Sequence, residues 1–115
     1  MTAVPFEIKV LTPARKDLRE IKQFIPQDRP LTAKRVMEKI PQDIMTLETL
    51  PEAGSMIHDK RLQTMGYRYW FVLDGKYIAF YVVYQSKRLV QIRRILSARQ
   101  DYLPILRGNL PQESR

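Results

Sequence analysis

Residues 67–97, YRYWFVLDGKYIAFYVVYQSKRLVQIRRILS, decide the fold of this chain. Three apolar runs follow one another with short polar breaks between them. Tyr67–Leu73 is rich in aromatic and β-branched residues, which suit a pleated, half-buried surface. It ends at Asp74-Gly75, a pair that tolerates the positive φ angles of a two-residue hairpin turn. Tyr77–Tyr84 is apolar at both alternating sets of positions, as a strand is when both of its faces are covered. A polar turn, Gln85–Arg88, leads to Leu89–Leu96. There Val90, Ile92, Ile95 and Leu96 are apolar, and Gln91, Arg93 and Arg94 interrupt them. Strands joined by such short turns make an antiparallel meander. Arg93 and Arg94 are consecutive, so in an unbulged strand they point to opposite faces.

Working outward to the N-terminus, Phe6, Ile8 and Val10 alternate with Glu7 and Lys9, the period of a strand. Thr12-Pro13 reads as an N-cap followed by a proline in the first helical position. Ala14, Leu18, Ile21 and Ile25 then form one apolar stripe, and Pro26 and Pro30 close this helix. A second helical pattern sets Ala33, Val36, Met37, Ile40, Ile44 and Leu47 on one face. Pro41 lies inside it and removes a backbone donor, which predicts a kink or two abutting helices. Residues 51–66 read as loop. Beyond the meander, a short turn or helix is expected around Asp101–Leu106. The expected fold is α+β: an N-terminal strand plus a three-stranded antiparallel meander forming a curved sheet, with a two-helix hairpin packed on one face. Residues 1–107 make one domain and 108–115 a polar, frayed tail.

Composition removes most function classes. No apolar run reaches the length of a membrane span, and Glu7 and Lys9 break Phe6–Leu11, so no signal peptide is read and a cytoplasmic protein is expected. The chain has no cysteine and one histidine, His58, so no thiolate metal site is available and no metal or other cofactor is expected. Four glycines give no phosphate-binding loop. The net charge of +8 is uneven. Residues 1–57 carry 9 Lys/Arg and 8 Asp/Glu, whereas residues 58–107 carry 10 and 3. A half with a net of +7 attracts polyanions or an acidic partner; a solvated surface that keeps the protein soluble is the plainer alternative.

What remains is basic and aromatic. Lys60, Arg61, Arg68, Arg93, Arg94 and Arg99 lie near Tyr67, Tyr69, Trp70 and Tyr102 in the sequence. Such a set stacks bases and pairs phosphates, or stabilises charge in metal-free phosphodiester cleavage. Alternating aromatics equally suit the core of a sheet. A simple nucleic-acid-binding module therefore stands as one reading, with affinity that falls linearly in log salt.

The same stretch resembles the RelE/ParE toxin superfamily of type II toxin–antitoxin systems. The resemblance is carried by Tyr67-Arg68, by Gly75-Lys76-Tyr77-Ile78-Ala79-Phe80-Tyr81, by Val90-Gln91-Ile92-Arg93-Arg94-Ile95-Leu96 and by Ser97-Ala98-Arg99-Gln100-Asp101-Tyr102. Residues 13–21, Pro-Ala-Arg-Lys-Asp-Leu-Arg-Glu-Ile, are similar to the family's Ala-x-x-Asp-Leu-x-x-Ile helix opening. Leu50-Pro51-Glu52-Ala53-Gly54 loosely resembles its Leu-x-x-Pro-x-x-Gly element. The resemblance spans about residues 6–106 and implies a growth-inhibiting toxin held inactive by a cognate antitoxin.

Its branches differ in target. RelE-like members cut messenger RNA on the ribosome, and ParE-like members poison DNA gyrase. The ribonucleases carry an arginine where this chain has Ile78, and a histidine or arginine near Ser97. Serine without a partner is no general base near neutral pH and supplies no cation. The ParE-like ending Ile-Leu-His-x-Arg-x-Asp matches Ile95-Leu96-Ser97-Ala98-Arg99-Gln100-Asp101 except at Ser97. The expected action is therefore on gyrase, with ribosome-dependent RNA cleavage as the alternative. Target-binding candidates are Arg94, Ser97, Arg99 and Tyr102; Lys60, Arg61, Arg68 and Arg93 are secondary. No catalytic residue is assigned.

Overall fold

The structure, a computed structural model, describes residues 4–108. The tail predicted from 108 therefore lies outside the described residues, apart from Gly108 itself.

The meander forms where its turns allow it. β3 (Tyr67–Val72) folds back onto β4 (Tyr77–Tyr84) through Asp74 and Gly75, whose φ angles are 56° and 82°. The Lys76 amide donates to the Leu73 carbonyl at 3.1 Å and closes the turn. Two successive positive φ angles match the twist of the flanking strands, which is why Asp-Gly works here. Leu73 also has a positive φ, 50°, unfavourable for a bulky side chain. It is held there because its side chain is buried and its amide donates to Asp43 Oδ2 at 2.8 Å. β4 returns to β5 (Leu89–Ser97) over residues 85–88.

β1 (Glu7–Val10) lies along the far side of β5 in parallel, with Ile8 opposite Val90. The sheet order is β1-β5-β4-β3-β2, five strands. The fifth strand, β2 (Ser55–Met56), pairs antiparallel with β3 inside the stretch read as loop. The same stretch holds a short helix, α3 (Lys60–Thr64), started by Asp59, whose side chain accepts from the Leu62 amide at 3.1 Å. A two-residue strand and a single turn are too short to carry a period, so no pattern announced them.

α1 (Thr12–Phe24) starts one residue before the sequence reading. Leu11 occupies the cap and makes no side-chain hydrogen bond, so Thr12 is inside the helix rather than capping it. Pro30 opens α2 (Pro30–Ile44) instead of closing α1. Its fixed φ and missing N–H fit a first turn, where that N–H has no partner anyway. α2 runs through Pro41 as one helix into a 3₁₀ turn, Met45–Glu48, where two abutting helices were an option. One lost hydrogen bond near the helix end is outweighed by the burial of Ile40, Ile44 and Leu47, each at 4% exposure or less.

Apolar side chains pack on both faces of the sheet. On the helix-hairpin side, Ala14, Ile21, Val36, Ile40 and Ile44 meet Ala79, Tyr81, Val90, Ile92 and Ile95. On the other side, Ile78, Phe80, Val82 and Leu96 pack beneath Leu62 and Leu106. Leu106 belongs to α4 (Tyr102–Gly108), the short helix anticipated near residue 101. Within β5 a bulge falls at Arg93: Phe80 faces Arg94 and Tyr81 faces Ile92, leaving Arg93 without an opposite residue. The extra residue lets Ile92 and Ile95, three apart, join one core.

Candidate target-binding surface

The two arginines at the bulge part company, as expected, although the strand is not regular. Arg94 reaches Asp17 on α1 and pairs with it through both Nε and Nη2, each at 2.8 Å. Asp17 is 5% exposed. Its Oδ2 also accepts the Ile95 amide at 2.9 Å, an edge donor beyond the end of β1. One buried carboxylate thus satisfies a guanidinium and the strand it comes from. The hydrogen bonds it donates to Asp17 hold the Arg94 guanidinium above its already high ordinary pKa, so it stays charged.

Arg94 and Ser97 line one open cleft of about 330 Å³ with Asp17, Glu20, Phe24 and Tyr77. Ser97 and Tyr77 also border a second cleft, about 370 Å³, whose other walls include Asp74, Lys76 and Arg99. Ser97 Oγ accepts the Arg99 amide at 3.3 Å, which shapes the exit of β5. Arg94, Ser97 and Arg99 therefore lie along one rim. Tyr102 does not join it. Its ring packs on Phe80 with centroids 4.9 Å apart, on the face away from the helical hairpin.

The secondary candidates scatter. Arg68 donates to the carbonyls of Gly54 at 2.8 Å and Glu52 at 3.4 Å, tying the loop before β2 to β3. Gly54 has to be glycine there, because a Cβ would stand 2.5 Å from the Tyr69 carbonyl oxygen and the Tyr81 hydroxyl. Its amide donates to that hydroxyl at 2.9 Å, and burial pushes the Tyr81 phenol up. Lys60 and Arg61 are exposed on α3, and Arg93 turns toward Tyr67 and Tyr84. Lys76 was missed by sequence reasoning. Its signal was the hairpin itself, which places the Asp74-Gly75-Lys76 turn beside the end of β5.

The chemistry on offer is cationic and apolar. Among the described residues no three His, Asp or Glu side chains gather as a metal cluster. His58 sits exposed in the bend before α3. Ile78, where a ribonuclease of the family would carry arginine, is 4% exposed and packs in the core with Leu96 and Leu106. None of the helices is long and apolar enough to cross a membrane, among the described residues.

A basic strand exit lies beside the α1–α2 hairpin, which packs on one face of a mixed five-stranded sheet in an α+β arrangement. The chain belongs to the ParE toxin family of type II toxin–antitoxin systems, which matches residues 8–102. Solved structures agree on the fold. A chain of the chromosomal ParDE toxin–antitoxin system of P. aeruginosa is 19% identical, with a TM-score of 0.65, over 83% of this chain and 98% of that one. The isolated E. coli RelE toxin is 15% identical at a TM-score of 0.55, over 91% and 99%. A chain of the RelBE2 complex of Mycobacterium tuberculosis is 19% identical at 0.51, over 82% and 99%. A search of curated protein sequences found no match.

Proposed function

We propose that this chain arrests bacterial growth by binding a protein target, DNA gyrase, rather than by cutting RNA. The observation that carries the reading is Ile78. An arginine there would help neutralise a developing phosphorane; the isoleucine is instead part of the apolar core beneath α4. Metal-free cleavage also needs one group to take the 2′-hydroxyl proton and another to protonate the leaving oxygen. The β5 exit offers Ser97 and Arg99, and a guanidinium, which holds its protons at any ordinary pH, shuttles protons poorly. Blocking a protein needs no proton transfer, only a complementary surface. A gyrase target places the action in the cytoplasm.

The surface we assign is the rim of Ser97 and Arg99, extended by Lys76. Arg94 shapes its wall through Asp17, and Tyr102 anchors α4 behind it. The test has two arms: purified protein in a gyrase supercoiling reaction, and the same protein with ribosomes programmed by messenger RNA. Supercoiling is expected to be blocked and the message left whole. Arg99→Ala should weaken the block about tenfold, the effect of truncating one good interface contact. Cleaved message with normal supercoiling reverses the reading. No effect from Arg99→Ala removes the surface from this rim.

We further propose a cognate antitoxin as the resting partner. Two observations support it. Phe24 and Leu31, on the helical hairpin, are 86% and 81% exposed, and Phe24 borders the cleft with Arg94. The C-terminal half carries the positive charge. Large exposed apolar side chains beside cations suit an acidic, amphipathic polypeptide.

A further inference from the structure

We propose that Arg93 is the docking point for an acidic side chain of a partner polypeptide, on the sheet face opposite the helical hairpin. The proposal deepens the reading that an acidic partner binds this chain, and it rests on that reading. Its starting observation is a contrast between neighbours. Arg94 is neutralised within the chain by Asp17. Arg93, one residue earlier and half-buried, has only neutral partners among the described residues. Its Nη2 donates to the Tyr84 hydroxyl at 2.8 Å and its Nη1 to the Tyr67 hydroxyl at 3.3 Å. The guanidinium carbon lies 5.4 Å from the centre of the Tyr67 ring. Arg93 Nε is buried and has no hydrogen-bond partner. Among the described residues, no carboxylate forms a salt bridge with it.

Removing a cation from water without supplying an anion is costly, and an unpartnered buried donor adds to the cost. The free protein bears both at Arg93. A carboxylate from outside would relieve them. The surroundings are prepared for it: both phenols accept from Arg93, so their own O–H groups remain to donate. Lys87 Nζ stands 5.8 Å from the Tyr84 ring centre and adds a second cation at the entrance. Arginine flanked by tyrosines is also the composition of interface anchors.

Nucleic acid fits this niche less well. Arg93 is recessed beside a fully buried Tyr67, whereas Lys60, Lys76, Lys87 and Arg99 are exposed and meet a phosphate backbone first. A Glu or Asp on a polypeptide is slim enough to reach the fork and planar enough to pair with it.

The test measures binding of two fluorescent probes to the full chain at low salt: a ten-residue glutamate peptide and a ten-nucleotide thymidine oligonucleotide. The wild-type protein should bind the peptide, and Arg93→Gln should weaken it about tenfold. Arg93→Lys, which keeps the charge and loses the fork, should fall between. The oligonucleotide should be nearly indifferent to either change. Thermal unfolding supplies a readout that a purely structural arginine would move: the Tm of Arg93→Gln should equal or exceed that of the wild type, because a recessed charge has been removed. Three results overturn the proposal: no peptide binding by the wild type or equal binding by Arg93→Gln; a loss of oligonucleotide binding as large as that of the peptide; or a clear fall in Tm. The assay needs no antitoxin. Failure of antitoxin rescue in cells is thus a separate result from failure at Arg93.

Discussion

Asp17 is the residue on which the rim of the candidate surface hangs. Its two oxygens take three donors, two from Arg94 and one from the Ile95 backbone. Asp17→Asn keeps the volume but removes the charge and points an amide donor at another donor. That leaves the Arg94 cation, whose side chain is 20% exposed, without its anion. Breaking a buried pair on one side costs about 3 kcal/mol, and we expect a loss of that order in urea unfolding. A loss below about 1 kcal/mol, the net worth of one ordinary hydrogen bond, would mean that the pair is decoration. A double-mutant cycle with Arg94→Ala separates the pair from its surroundings, and the coupling should account for most of the loss. The same residue explains why Arg94 is a poor choice for direct target contact. Its donors Nε and Nη2 are already engaged, so Arg94→Ala would act on the target through the shape of the β5 exit.

Among the elements, α4 depends most visibly on a single ion pair. Tyr102 and Leu106 supply its apolar contacts, and Arg107 ties its end to Asp59, which also starts α3. Asp59 Oδ2 accepts Arg107 Nε at 2.9 Å and a second, closer contact from Nη2. Hydrogen bonding from Arg107, and then from the Leu62 amide, holds the Asp59 carboxyl below the usual carboxylate range. A carboxyl lowered in the folded state stabilises the fold wherever it is ionised. Its contribution is whole above the ordinary value near 4 and is lost as pH falls through the lower, folded value. Amide exchange across residues 102–108 should therefore speed up, relative to that of β4, once the pH falls below about 4. Asp59→Asn should show fast exchange already at neutral pH, with little further change on acidification. An unaltered pH profile in the variant would place the acid response elsewhere. β5 shows the same logic in a strand: the bulge at Arg93 aligns Ile92 and Ile95 with the core and sends one arginine to each side.

At the scale of the whole molecule, an excess of positive charge meets unusual apolar exposure. Val4, Phe24, Leu31, Met45, Leu50 and Phe71 are all more than half exposed. A basic protein with large apolar side chains left in water gains from a partner that covers them. Production of this chain alone should halt bacterial growth, and co-production of the neighbouring gene's product should restore it. Phe24→Asp should leave arrest intact while weakening the rescue, because it puts an anion where an acidic, apolar partner binds. Healthy growth at full expression of the unaltered chain would remove the toxin reading. Rescue of Phe24→Asp as efficient as that of the wild type would move the partner off the hairpin.

Local chemistry made much of this legible before any fold was known. Apolar, aromatic and β-branched runs bounded by short polar breaks marked the three long strands, and alternation marked β1, because a side-chain period of two is a property of the backbone. Asp74-Gly75 set the turn between two of them, since few other pairs accept two positive φ angles. The apolar stripes of α1 and α2 placed the helical hairpin, the order of the segments between about residues 6 and 106 pointed to the family, and the ending around Arg99 pointed to its branch. The parallel pairing of β1 with β5 was not legible, because it joins residues 82 apart in sequence and no local pattern records a distant neighbour. β2 and α3 were hidden by their brevity. Above all, the sequence shows Arg93-Arg94 as two equal cations. Only the tertiary structure shows how they differ, since the anion that pairs with one lies 77 residues away on α1 and the other, among the described residues, meets phenols. Charge is written in the sequence; whether a charge is already neutralised depends on what folding brings beside it.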